Sequence, residues 1–332
     1  MKTFFSALTG FFCLFGFFAE MIYAAEPVLP EISQDISSPA AESIRKQDLQ
    51  LPSQVPPLRQ LKDPGTATLL SSIVPGLGHV YLDDMKTASA LMGAAVCGAG
   101  LYFSPATRNP SVRGFVFSTF LATSFYSVYA AYRDTRLYNG VSQYTYSMPM
   151  DSLADLTYAP FKWSVIKKPE VWGGVLGALG LASIVYAVAH PRGTEKIHKN
   201  LAASTYHHLP IRALPVGVGE EAYFRGYLQS ALSENWGPTA GIAVSSIFFG
   251  AAHFQNAQYL RKSDRWRYYT FSMPLIATIG AYLGWLTQKN RSMQESVAIH
   301  TWYDAIVFSL DFLYDYKASI ATPKEFTVSI PF

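Results

Sequence analysis

Pro238-Thr-Ala-Gly-Ile-Ala-Val-Ser-Ser-Ile-Phe-Phe-Gly-Ala-Ala-His253 contains no charged side chain before it ends on an imidazole. Uncharged or nearly uncharged runs of this kind recur at 87–103, 114–132, 171–190 and 268–286. Several approach the roughly 20 residues that a helix needs to cross a bilayer. Backbone placed in hydrocarbon must satisfy its own hydrogen bonds, so segments of this length read as helices. Two further segments, 212–232 and 295–314, are as apolar apart from a few ionisable residues. The expected fold class is all-α, a polytopic transmembrane bundle of about seven to eight helices.

The composition agrees. Of 332 residues, 50% are hydrophobic, 15% aromatic and only 15% charged, against roughly a quarter charged in an ordinary soluble domain. The net charge of +3 is small and its Lys and Arg are dispersed between apolar runs, which excludes a nucleic-acid footprint. Cys13 and Cys97 are the only cysteines. The first lies in a segment expected to be removed, so no intrachain disulfide is expected.

That segment is 1–24. Lys2 supplies a positive start, Phe4 to Phe18 an apolar run rich in Phe, and Ile22-Tyr23-Ala24 a small residue at the expected cut, the pattern of a secretory signal peptide. An uncleaved first membrane helix is the alternative. Residues 25–65, rich in Pro, Ser and Gln, read as a disordered linker. An N-terminal membrane hairpin region is expected over 66–140, a further apolar helical core over 165–315, and a polar tail over 316–332. Within the hairpin region, Val74-Pro-Gly-Leu-Gly-His-Val-Tyr81 reads as a bend that lets helices pack closely, with His79 in a turn without chemistry. The break at Pro75 leaves the parity of the later spans open. The loops 133–170, 191–212 and 254–267 hold five, four and four Lys and Arg, so charge does not choose an orientation.

The exceptions to apolarity carry the functional reading. An ionisable group within hydrocarbon costs roughly 2.5 to 3.5 kcal/mol on insertion scales, and where one persists it usually faces a partner. In Gly219-Glu-Glu-Ala-Tyr-Phe-Arg225, Glu221 and Arg225 are four apart and share a helix face. Glu220 points about 100° away, free of that pairing. Pro215, Gly217 and Gly219 suggest a helix start or kink before the carboxylates. Phe249 and His253 share a face of the next run, behind the small residues Gly250 to Ala252. His300 and Asp304 repeat the four-residue spacing on the last. His190, His198, His207 and His208 are given no role.

Glu-Glu-x-x-x-Arg, then Phe-x-x-x-His, then His-x-x-x-Asp, in successive apolar helices, resembles the CPBP family of intramembrane proteases, which includes the CAAX prenyl endopeptidases and proteins linked to bacteriocin processing and immunity. The resemblance spans roughly 165–315 and implies an intramembrane endopeptidase, a metallo-endopeptidase if zinc takes part. It implies Glu220 and His253 as the pair that activates water, and His300 with Asp304 as oxyanion stabilisers. Glu221, Arg225 and Phe249 would be structural support. The prenyl endopeptidase branch carries Asn where this chain has Asp304, and an ionised Asp donates no hydrogen bond. Glu220, His253, His300 and Asp304 also form a two-nitrogen, two-oxygen set of the kind zinc accepts, which leaves zinc an open alternative as cofactor. The implied partners are membrane lipid and a membrane-associated protein or peptide substrate, in a multi-pass setting in a bacterial inner membrane. A non-catalytic scaffold or immunity-type binding protein is the rival reading, and proton-coupled transport a third.

Overall fold

The computed structural model describes residues 60–189, 210–260 and 262–320. The expected signal segment, the linker up to residue 59, His190, His198, His207, His208 and residues 321–332 of the tail lie outside them.

Among the described residues all regular structure is helical. Asp63 caps α1 (Pro64–Ile73) by accepting from the Thr66 N–H, and Pro64 stands in the first turn, where no amide donor is needed. The chain reverses at Gly76, whose φ of +91° favours glycine, and enters α2 (Leu77–Tyr81). A Cβ on Gly78 would lie 2.1 Å from the Ala67 carbonyl oxygen, so the Pro/Gly bend is a point of close backbone approach. His79 departs from its expectation. It sits in α2 rather than in a turn, wholly buried, with Nε2 3.1 Å from Asp134 Oδ2.

Next come α3 (Met85–Phe103), capped by Asp84, and α4 (Pro110–Asn139), capped by Asn109 with Pro110 behind it. The short helices α5 (Leu153–Tyr158) and α6 (Trp163–Ile166) lead to α7 (Pro169–Ala189). Helix α8 (Ala213–Glu221) continues without a break through a π-helical stretch, Ala222–Leu228, into α9 (Gln229–Trp236). Of the helix start or kink expected at Pro215 to Gly219, the structure shows the helix start, with Pro215 in the first turn of α8. The glycines instead allow close contact: a Cβ on Gly217 would lie 2.6 Å from Thr301 Oγ1, and one on Gly219 2.6 Å from Ala122 Cα. Gly237, with φ +83°, makes the corner into α10 (Pro238–Ala252), which ends in a 3₁₀ segment, His253–Tyr259. Then follow α11 (Arg265–Arg267), a π-helical stretch Tyr268–Ser272, α12 (Met273–Asn290) and α13 (Gln294–Ile320).

Two apolar cores hold these helices together. Tyr129, Tyr227, Leu228, Phe224, Phe249 and Val297 join α4, the α8–α9 helix, α10 and α13. Val171, Val175, Leu283, Leu286, Ala298 and Ile299 join α7, α12 and α13. Helix α4 packs on α1, α3 and α8 alike, so the N-terminal helices touch the same bundle that carries the site.

By length and composition, α4 alone among the described residues is long and apolar enough to cross a membrane; α7 shows a shorter apolar stretch, Pro169–Val185. The number of spans expected from the apolar runs is thus not reproduced by helix length and hydropathy. Helix α10 has 15 residues, about 22 Å at 1.5 Å per residue, and α8 and α13 carry the ionisable groups that lower their mean hydropathy.

Candidate active site

Helix α8 delivers two carboxylates pointing different ways, as adjacent helical positions must. Glu221 is wholly buried. Its Oε2 lies 3.3 Å from Arg225 Nε, one turn on, and its Oε1 lies 2.9 Å from His300 Nδ1. A carboxylate beside a guanidinium only accepts, so His300 Nδ1 carries a proton and donates it to Glu221. This cross-helix bond fixes the imidazole ring and turns its other nitrogen outward.

Glu220 faces that other nitrogen. Its Oε2 lies 3.9 Å from His300 Nε2 and 4.0 Å from His253 Nε2. The Oε2 atom is buried and has no hydrogen-bond partner. The residues grade from closed to open: side-chain exposure is nil for Glu221, 8% for His300, 15% for Asp304 and 23–24% for Glu220 and His253. The ion-paired scaffold is thus sealed, while the Glu220–His253 side reaches the surface.

His253 stands at the C-terminal end of α10, where its Nδ1 lies 2.7 Å from the Phe249 carbonyl oxygen. A carbonyl cannot donate, so Nδ1 holds a proton and donates it there, and Nε2 is the nitrogen turned toward Glu220. The Phe249 ring fills the space between these groups. It meets the His253 ring edge-on at 5.0 Å and the His300 ring at 5.8 Å, and the Arg225 guanidinium lies over it at 4.3 Å. Glycines let the neighbouring helices close around it. A Cβ on Gly280 would lie 3.0 Å from Phe249, and one on Gly250 2.9 Å from the Met273 carbonyl oxygen.

Asp304 Oδ2 lies 3.6 Å from His300 Nε2, the one-turn pairing that the spacing implies. Arg212, at the start of α8, donates from Nε to Ser118 Oγ at 3.1 Å, and its guanidinium lies 5.8 Å from the Phe308 ring, one turn beyond Asp304. Sequence reading assigned Arg212 nothing; its only signal is its place as the first charge of the 212–232 segment. The Glu221–His300 bond was also missed, since no spacing reports a contact 79 residues apart.

Zinc does not fit this arrangement. Among the described residues no group of three or more His, Cys, Asp or Glu is placed to hold a metal ion. Neighbouring ligands on a tetrahedral ion with bonds of about 2.0–2.1 Å stand about 3.3 Å apart. Here Glu220 Oε2 stands 3.9–4.0 Å from the two imidazole nitrogens and Asp304 Oδ2 3.6 Å from His300 Nε2, each wider than that spacing.

All four residues of the site lie in one stretch that matches a family model described as type II CAAX prenyl endopeptidase Rce1-like, over residues 202–306. That stretch is similar to the Rce1-like family. The match agrees with the resemblance carried by the three motifs, and at family level it is a likeness to CAAX-type intramembrane peptidases. It covers less than half of the chain and leaves α1 to α7 outside. No curated protein and no solved structure matches the chain.

Proposed function

We propose that this protein is an intramembrane endopeptidase that hydrolyses a peptide bond in a membrane-associated polypeptide. The observation that carries the reading is Glu220 Oε2 and His253 Nε2 facing each other 4.0 Å apart, where a neutral His253 would make both atoms acceptors. That separation is too long for a direct hydrogen bond and suits a bridging water. Water is the small molecule with two donors to give, and one held so points its oxygen lone pair away from both acceptors.

When that oxygen attacks a scissile carbonyl carbon, its proton passes to Glu220 and the carbonyl oxygen takes up the negative charge. His300, donating through Nδ1 to Glu221 and protonated on Nε2, offers the oxyanion a hydrogen bond. Asp304 orients that ring and balances its charge. Collapse breaks the C–N bond, and Glu220 returns the proton to the leaving nitrogen. Glu221, Arg225 and Phe249 hold the geometry and exchange no proton.

The exposed side chains support a membrane setting. Val96 on α3 is 70% exposed, Leu176 on α7 65% and Ile247 on α10 62%, with Leu101, Phe103, Leu181 and Ile184 also open. Large aliphatic surfaces of this kind are unfavourable in water and cost nothing in lipid. The apolar helices and the enclosed ionisable groups are consistent with several passes through the bilayer.

The test compares the membrane proteomes of cells holding the wild-type protein or Glu220→Gln. Peptides produced by the wild type are expected to vanish with the variant, and the purified variant to lose about 10²- to 10⁴-fold in rate on any substrate so found. Unchanged proteolysis by folded Glu220→Gln and His253→Ala would refute the reading in favour of a binding role.

A further inference from the structure

The turn that joins α10 to α12 carries a surface that peptide hydrolysis does not use. Phe254, Trp266 and Tyr269 stand 56%, 55% and 36% exposed. Phe254 and Tyr269 stack with ring centres 4.9 Å apart and planes 13° from parallel, so the two ends of the turn form one aromatic platform. Around it Lys262, Arg265 and Arg267 outnumber the single acid, Asp264, which pairs with Arg267 at 3.3 Å. The Arg267 guanidinium also lies 5.6 Å from the Trp266 ring.

Exposed aromatics among cations mark the boundary layer of a bilayer, where rings sit at headgroup depth and Lys and Arg meet lipid phosphates. The patch continues onto the aliphatic surface of α10, where Ile247 is 62% exposed. The excess of cations calls for an anionic lipid rather than a zwitterionic one. We infer that Phe254, Trp266 and Tyr269, with Lys262, Arg265 and Arg267, form an interfacial anchor that seats on anionic lipid headgroups at the rim of the site. The inference rests on the membrane-embedded reading above. Seating the turn also bears on the chemistry, because the buried Tyr268 hydroxyl donates to the His253 carbonyl oxygen at 3.1 Å and so ties the anchor to the end of α10.

The test uses the full-length protein in mixed vesicles of phosphatidylcholine and phosphatidylglycerol, with brominated chains on one lipid or the other. The Trp266 contribution is isolated by difference from Trp266→Phe. Brominated phosphatidylglycerol is expected to quench Trp266 at least about twofold more than brominated phosphatidylcholine, an advantage that falls as salt rises. Replacing Lys262, Arg265 and Arg267 together by Gln should abolish the difference while quenching of the other tryptophans persists. Equal quenching of wild-type Trp266 by the two lipids overturns the inference alone. Absence of quenching of every tryptophan by either lipid overturns the membrane-embedded reading with it.

Discussion

Glu221 and Glu220 are chemically identical neighbours with opposite surroundings. Glu221 is enclosed between Arg225 and His300, at 3.3 and 2.9 Å, whereas Glu220 is 23% exposed and stands 3.9–4.0 Å from its two imidazole neighbours. Removing one member of a buried ion pair leaves the other charge uncompensated, which typically costs about 3–5 kcal/mol. Glu221→Gln is therefore expected to lower stability by about that amount, read from unfolding in detergent, whereas Glu220→Gln should leave stability nearly unchanged and lose catalysis. An equal loss of stability in both variants would contradict the division between scaffold and reactive carboxylate.

The α8–α9 helix shows how an element can be shaped by its neighbours. Its π-helical stretch, Ala222–Leu228, holds Arg225 and Gly226, and such stretches are frequent where a helix must re-aim side chains at a functional site. Gly226 faces Tyr129, and an added Cβ would lie 2.4 Å from that ring and 2.9 Å from Met293 Sδ. Gly226→Ala is expected to cost about 1–3 kcal/mol through overpacking. Gly177 in α7 has open space where its Cβ would stand, so Gly177→Ala should be neutral or stabilising by up to about 1 kcal/mol, the helix-propensity difference. Thermal unfolding of the two variants side by side checks both.

At the scale of the whole molecule, the loop before α5 ties the N-terminal helices to the helix that bears His300. The Asp151 carboxylate accepts from the Met293 N–H at 2.8 Å, the Ser292 hydroxyl at 2.8 Å and the Gln294 amide at 3.1 Å. The Asp151 carbonyl receives Tyr129 and Arg133 of α4. Asp151→Ala leaves the buried Met293 N–H without its acceptor and is expected to cost about 1–3 kcal/mol, with part retained in Asp151→Asn, as unfolding measurements will show. The first turn of α5 holds a pH-dependent contact. Hydrogen bonds from Ser152, then from Lys162, lower the Asp155 carboxyl from 3.8 to about 2, and Lys162 also reaches Gln294 of α13. A group whose pKa is lower in the folded state stabilises fully above its unfolded value and loses that contribution as pH falls through the folded one. The stability difference between wild type and Asp155→Asn should therefore hold above about pH 4 and vanish toward pH 2.

Helix class, the positions of most long helices and the identity of the polar groups were legible in the sequence. Apolar runs and four-residue spacings such as Glu221–Arg225 and His300–Asp304 are local properties of a chain coiled at 3.6 residues per turn. The role of the glycines was not legible, because Gly217 and Gly219 look alike whether a helix bends or a neighbour approaches, and only Thr301 and Ala122 across the interface distinguish the two. The bond from His300 to Glu221, and with it the exposure of Glu220 to His253, was decided by the packing of α8, α10 and α13. Partner choice between distant segments depends on which helix faces meet, and no periodicity along a single helix carries that information.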